Sequence, residues 1–411
     1  MRAADLGPVP PQDRRQSGLD LFLIFAGANI VATTLQVGAA LAGEYSLWTS
    51  LGLIAVGSVL GSALVGALAP LGPRLGVPSV IAARAALGTR GAGLVALLLY
   101  LTNFAWIAVN NVIAASVCAQ ALGLAGTERV WALGLGLTAT AIVARGPRAV
   151  GLADRFAVPL MLAVGALLTV ACLRMPVGAP GTATSGSLLR GFDVVVGYQV
   201  SWLLMFADYS RYTPSERTSL AAVFLGLALT SLWFMPIGLL TARAAGTSDP
   251  GAMLLAAGVG RSGALLIALA TVTTNFVNIY LSSLAWKSLL PKTGDQLSIW
   301  SIGVVGTVLG LFSSAWLTRY TDLMLVLGSV LVPVGAILLA HFFVLRRTPR
   351  VEDLYAAAGP YTRGAGFLAP GMLAWAAGAV AYHVAAGFGS TIAAFAVAMT
   401  VYIALARRGQ V

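Results

Sequence analysis

The chain has 411 residues, 58% of them hydrophobic and 9% charged, with a formal charge of +11 and a mean hydropathy of +0.88. A soluble domain carries roughly 25% charged residues, so this composition describes a polytopic membrane protein and excludes a soluble enzyme or binding module. The basic excess does not indicate nucleic acid: Lys and Arg collect on the cytoplasmic loops of membrane proteins, and no basic cluster here is interleaved with aromatics.

Residues 1–18 contain Pro8, Pro10, Pro11, Arg14 and Arg15 and lack the short apolar core of a signal peptide, so they are expected to be a cytoplasmic tail. Crossing a ~30 Å hydrocarbon core takes about 20 apolar residues. By that rule twelve candidate spans follow, near 19–43, 47–70, 93–124, 129–145, 151–173, 190–210, 217–243, 262–289, 297–316, 320–345, 367–387 and 389–407. With the amino terminus inside, nineteen of the 25 Lys and Arg fall on inside segments. Only Arg129, Arg174, Arg190, Arg243, Arg261 and Arg319 fall outside. This positive-inside asymmetry predicts a multi-pass protein of the inner (cell) membrane with both termini cytoplasmic.

Spans one and six open alike. Gly18-Leu19-Asp20 leads into an apolar run interrupted by Gly27-Ala28-Asn29, and Gly191-Phe192-Asp193 leads into one interrupted by Gly197-Tyr198-Gln199. The two segments have opposite topology, the signature of an inverted repeat. The division expected is 19–173 for spans one to five, 174–189 as an external loop, 190–345 for spans six to ten, 346–366 as a cytoplasmic linker, and 367–411 for the last two spans and tail. Helix breaks are expected at the two Gly-x-polar triplets. Gly57 and Gly61 on span two have the spacing of a helix-packing motif, within the chain or between copies. Between spans two and three, Pro73, Pro78 and several glycines forbid a regular span, and Ile81 to Leu87 is expected to form a short interfacial helix.

Three spans carry polar groups at membrane depth, where an unpaired polar atom costs several kcal/mol. On span three, Asn103, Trp106 and Asn110 share one helix face, a platform on which an indole stacks on a flat heterocycle while amides pair with its edge. The bland alternative is helix packing by amides. On span six, Gly197, Tyr198 and Gln199 suggest a broken helix facing a solute. On span eight, Thr271, Thr273, Thr274, Asn275 and Asn278 offer neutral oxygens suited to a monovalent cation, though Thr also bonds its own backbone in membrane helices.

The other ionisable groups suggest structure. Asp20 and Asp193 are expected to cap their own helices, Asp208 to pair with Arg211, Asp322 with Arg319, and Asp154 with Arg155 or Arg148. His341 and His383 are solitary, and Cys118 and Cys172 read as buried hydrophobes. No catalytic residue and no cofactor is expected.

The stretches GFDVVVGYQVSWLLMFADYSRYTPS, GVPSVIAARAALGTRGAGLVALLLYLTNFAWIAV and TTNFVNIYLSS together resemble the nucleobase:cation symporter-1 family, in its cytosine permease and hydroxymethylpyrimidine transporter branch, over roughly residues 15–345. The segments at 207–213 and 76–91 are the most specific parts. The resemblance implies an all-α fold of twelve transmembrane helices, a LeuT-type five-plus-five inverted repeat plus two extra helices, with a mid-membrane site between spans one, three, six and eight. Carried over by position, Trp106 resembles the aromatic that stacks on the base, and Asn110 falls where relatives place Gln or Glu. Tyr198 or Gln199 takes the second bonding place, with Gly197 beside it. Asn275 or Asn278 resembles the amide that reads the base, and Asn103 and Asn29 complete the substrate set. Thr273 and Thr274 resemble the hydroxyls of the family's sodium site, to which Ala26 and Asn29 would add backbone oxygens.

The function expected is import of a pyrimidine-type base, coupled to Na⁺ or alternatively H⁺, with membrane lipid and a monovalent cation as partners. The same fold could instead carry a purine, allantoin or hydantoin. A channel is distinguished by its inability to accumulate solute, and an intramembrane enzyme by a nucleophile–base pair or facing acids, neither of which is evident here.

Overall fold

The structure is a computed structural model that describes residues 6–174, 187–290, 292–386 and 388–408, and among these every regular element is a helix. That follows from the solvent: in hydrocarbon a backbone N–H or C=O finds its partner only within its own segment, and a helix provides all of them. In chain order the α-helices are α1 (Gly18–Asn29), α2 (Ala32–Leu41), α3 (Leu47–Leu68), α4 (Leu71–Leu75), α5 (Ser79–Leu87), α6 (Thr89–Leu122), α7 (Glu128–Ala144), α8 (Pro147–Arg174), α9 (Leu188–Val200) and α10 (Phe206–Ser210). They continue with α11 (Glu216–Ala245), α12 (Pro250–Ala256), α13 (Gly260–Leu289), α14 (Asp295–Leu309), α15 (Ser313–Thr318), α16 (Tyr320–Leu339), α17 (Val351–Tyr355), α18 (Ala369–Val384) and α19 (Ser390–Arg408).

Helix occupies each of the twelve expected spans. Among the described residues seven helical stretches are long and apolar enough to cross a membrane, or eight with α1 and α2 counted as one bent span. The stretch expected as an external loop, Met175 to Ser187, lies outside the described residues except for Ser187, as do the side chains of Arg148, Asp154 and Arg155.

The helices sort into an inner group and a periphery. α6 and α13 run together, α11 takes α1, α2 and α3 on its flank, and α9 packs between α3 and α16. α18 and α19 pair with each other and lean on α16. Where α2 crosses α11 the backbones nearly touch. A Cβ on Gly38 would lie 1.8 Å from Met235 O, and one on Gly238 would lie 1.9 Å from Leu35 O. The Gly57 and Gly61 pair works within the chain, with their missing side chains making room for Val195 and Gln199 of α9.

Both helix breaks exist, but later than expected. α1 runs through Gly27, Ala28 and Asn29, and the chain opens at Ile30 and Val31 before α2 resumes at an angle of 56°. β-branched residues lose rotamer freedom in a helix and suit the extended backbone that Val31 adopts. Likewise α9 continues through Gly197, Tyr198 and Gln199, and the irregular stretch comes at 201–205. The glycine is there for contact: a Cβ on Gly197 would lie 2.1 Å from Met324 O of α16.

Several polar expectations change partner. Ser17 and Asp20 form the expected capping box on α1. Asp193, by contrast, sits one turn inside α9 and accepts from Ser390 N (3.1 Å) and Thr391 N (2.9 Å), capping α19 instead of its own helix. Asp322 approaches Arg190 at 4.0 Å across two helices, in place of Arg319. Asp208 accepts from Ser79 Oγ at 2.7 Å and also feels the charge of Arg211, as expected. Arg211 reaches Gly7 O and Tyr212 Oη. The expected short helix exists as α5, and all its residues except Arg84 are buried, since small side chains let it seat between α6, α10 and the linker.

Candidate substrate site

The break between α1 and α2, the middle of α6, the end of α9 and the middle of α13 converge on one internal pocket. Its wall includes Asn103, Trp106 and Asn110 from α6, Tyr198 and Trp202 from the α9 break, and Thr274 and Asn278 from α13, with Ala28, Val31 and Thr33 closing one side. Asn103, Trp106 and Asn110 share this wall because positions i, i+3 and i+7 fall on one helix face.

Polarity there is unusual. Asn103 is 1% exposed, and neither its amide nitrogen nor its amide oxygen has a partner. Asn110 donates to Asn275 Oδ1 at 3.1 Å and leaves its own Oδ1 unpaired. Trp202 keeps an unpaired Nε1–H. The aromatic side is fixed by contrast: Trp106 and Tyr198 meet edge to face with centroids 5.8 Å apart. Tyr198 Oη is 2.6 Å from Thr34 Oγ1, and Thr34 in turn donates to Asn29 O. The cavity volume is about 30 Å³, room for one or two waters and not for a six-membered ring.

Four expected residues face elsewhere. Asn275 does not line the pocket; its amide joins Asn110 and, at 2.8 Å, Asn111 Oδ1, holding α6 to α13. Asn29 and Gln199 are fully buried and both donate to Ser231 Oγ of α11, at 2.8 and 2.6 Å. Gly197 faces α16. The physical reason is helical phase, since neighbouring residues point roughly 100° apart and only Tyr198 of the triplet can meet α6. On the cation side, Thr273 Oγ1 donates to Ala270 O at 2.7 Å and Thr274 Oγ1 to the same oxygen at 3.4 Å. Ala26 O accepts from Ile30 N in the last turn of α1. Each of these oxygens retains a lone pair, and Thr274 lies on the wall beside Ala28 and Val31.

The family model described as "Permease for cytosine/purines, uracil, thiamine, allantoin" matches residues 8–404. The chain belongs to this family, the nucleobase:cation symporters-1. It is therefore a multi-pass membrane permease.

Among its relatives is the Bacillus subtilis protein YxlA, provisionally named a purine-cytosine permease, which is 25% identical over 377 residues covering 86% of this chain and 82% of that protein. Escherichia coli K12 cytosine permease is 26% identical over 355 residues, covering 83% and 81%. The solved structure of Mhp1, a nucleobase-cation-symport-1 family transporter in a closed conformation with bromovinylhydantoin bound, superposes with a TM-score of 0.83 at 18% identity, covering 98% of this chain and 94% of that one. Its inward-facing form gives 0.80 at 19% identity, covering 98% and 92%. The fold is accordingly the five-plus-five inverted repeat with two additional helices.

Sequence reasoning missed Thr33, Thr34, Trp202 and Tyr320. Tyr320 Oη bonds Thr33 O at 2.8 Å and ties the start of α2 to α16. Trp202 was legible as an indole four residues beyond Tyr198, one turn further along. The threonines carried no signal apart from their place just beyond the break.

Proposed function

We propose that this transporter imports a pyrimidine-type base, cytosine or a hydroxymethylpyrimidine, down a cation gradient by alternating access. One observation carries the reading: two donors and two acceptors, on Asn103, Asn110 and Trp202, are buried without partners around the ring of Trp106. A buried unpaired polar atom costs about 1–3 kcal/mol, which a ligand bearing complementary edge groups recovers. A flat heterocycle with ring nitrogens and carbonyls has that edge, and its face suits the indole. The names of the bacterial relatives support a nucleobase, while the hydantoin on Mhp1 supports the alternative of allantoin, a hydantoin or a purine. Because the cavity is too small for a ring, the base enters only after the walls part, which a rocking of the two repeats supplies. Both termini lie in the cytoplasm of the inner membrane in this reading, as the arginine distribution favours.

The coupling ion proposed is Na⁺, held by Thr273 and Thr274 with carbonyls of Ala26 and Asn29, because the pocket wall offers hydroxyls and amides and carries no carboxylate to relay a proton. The test is thermal stabilisation of the purified protein by nucleobases, thiamine-precursor pyrimidines, allantoin and hydantoins, each with and without Na⁺. The expected outcome is a shift for one pyrimidine that grows with Na⁺ by mass action, and its loss in Trp106→Ala. A Trp106→Ala protein that keeps the full base-dependent shift would sink the stacking role, and a shift indifferent to Na⁺ but dependent on pH would replace Na⁺ by H⁺.

A further inference from the structure

A second cleft, which shares no residue with the base pocket, lies beside the linker and the last turn of α19. The last turns of α16 relax into a π-helical turn over Ala340–Val344, and Arg346 then takes a φ of +52°, rare for a residue with a side chain. This path turns Arg347 back, so that its N–H bonds His341 O at 3.1 Å and both side chains reach one cavity. The cavity volume is about 320 Å³, within the range of small-ligand pockets. Tyr361, Thr348 and Tyr402 add hydroxyls, and Leu368 with three prolines forms the apolar part of the wall.

Three features specify the occupant. His341 is 4% exposed, its Nδ1 lies 2.6 Å from Tyr402 Oη, and its Nε2 has no partner. With the tyrosine hydroxyl as donor to Nδ1, the ring proton sits on Nε2, a buried donor without an acceptor. Arg347 spends one N–H on Ala406 O at 2.7 Å and has the rest of its fork for a ligand. The wall holds no carboxylate, and Asp353 acts on it only electrostatically, through Tyr361. A cationic fork, a neutral imidazole donor and the hydroxyls of Tyr361 and Thr348, Tyr402 having given its proton to His341, form an acceptor-seeking set without a counter-charge, and planar guanidinium matches phosphate oxygens in pairs. We propose that this cleft binds a phosphate group, either the diester of an inner-leaflet lipid or a soluble phosphate monoester. The lipid source has direct access, because Leu368, Pro370 and Ala406 belong to the peripheral α18–α19 side.

The test uses the full chain, purified and delipidated, in native mass spectrometry and thermal-shift titrations. The probes are phosphatidylglycerol, diacylglycerol with the same tails, and glycerol 3-phosphate. One phosphatidylglycerol is expected to be retained in preference to diacylglycerol, with Arg347→Gln weakening it about tenfold or more. Arg319→Gln, an exposed change at the other end of α16, leaves binding unchanged. Stabilisation by glycerol 3-phosphate as well would identify a site for free phosphate, and its absence a lipid headgroup. Arg347→Lys keeps the charge without the fork and is expected to fall between the two. The thermal midpoint of each variant without ligand separates misfolding from lost binding, and the Lys variant decides where the Gln variant does not fold. Equal retention of diacylglycerol with no effect of glycerol 3-phosphate, or folded Arg347 variants that bind like the parent, would overturn the proposal.

Discussion

On the proposed function, Asn103 sets binding against stability. Its amide is buried with no protein partner for either polar atom, so each atom left without a water or a ligand costs about 1–3 kcal/mol. Replacing it with Leu, which is of similar size, removes the penalty. Asn103→Leu is therefore expected to raise the thermal midpoint of the ligand-free protein while abolishing base-dependent stabilisation and uptake. A drop in midpoint would mean that the amide has a partner in the empty protein after all. The neighbouring amides differ: Asn275 is already satisfied by Asn110, Asn111 and Ile107 O and belongs to the frame. Spacing alone does not separate these roles, because an amide at mid-span looks the same whether it faces a ligand or another helix.

Elements in this protein meet through small residues and buried hydrogen bonds, as expected where lipid tails are as apolar as the helix surfaces. The α2–α11 crossing is the clearest case. Gly238→Ala gains up to about 1 kcal/mol of helix propensity, but its methyl would lie 1.9 Å from a backbone carbonyl and force the helices apart, at about 1–3 kcal/mol. The overlap is with backbone and wins, so the variant is expected to melt lower than the parent. Gly52→Ala, with nothing within 4 Å of the new methyl, is expected to melt no lower. Equal midpoints for the two variants would remove the close crossing from the account. The same scale explains two segments that the sequence singled out. Residues 76–91 and 207–213 do not touch the base pocket; they touch each other, through Ser79 bonded to Asp208 and to Ala207 N. Their joint role at one end of the bundle is invisible while they stand 120-odd residues apart in sequence.

Across the whole molecule, residues 6–17 form a strap over the end where the helices following spans two and six emerge. Val9 N bonds Gly76 O, Gln16 N bonds Tyr212 O, and Tyr355 Oη of the linker bonds Leu6 O. Arg14 holds the strap by bonding Val9 O and Pro73 O. The nearby Arg74–Glu216 pair, at 2.6 Å and partly exposed, adds only about 0.2–1 kcal/mol. Arg14→Ala is expected to speed amide hydrogen exchange of residues 6–16 about tenfold while that of α6 stays slow. Arg15→Ala, which loses only an exposed bond to Gln12 O, serves as the control. Equal protection in both variants would show that the strap is held without Arg14.

Several features were legible in the sequence alone: the membrane class, the positions of the helices, the mirrored opening of spans one and six, and the α6 face of Asn103, Trp106 and Asn110. Each is a local property, since hydropathy sums along a segment and helical phase repeats every 3.6 residues. The tertiary structure alone decided the rest. It turned Asn29 and Gln199 together onto Ser231, moved both breaks beyond their glycine triplets, and gave Asp193 to α19 and Asp322 to Arg190. The reason is that a buried polar group takes whichever complementary atom the packing brings within about 3 Å, and that atom comes from a helix distant in sequence.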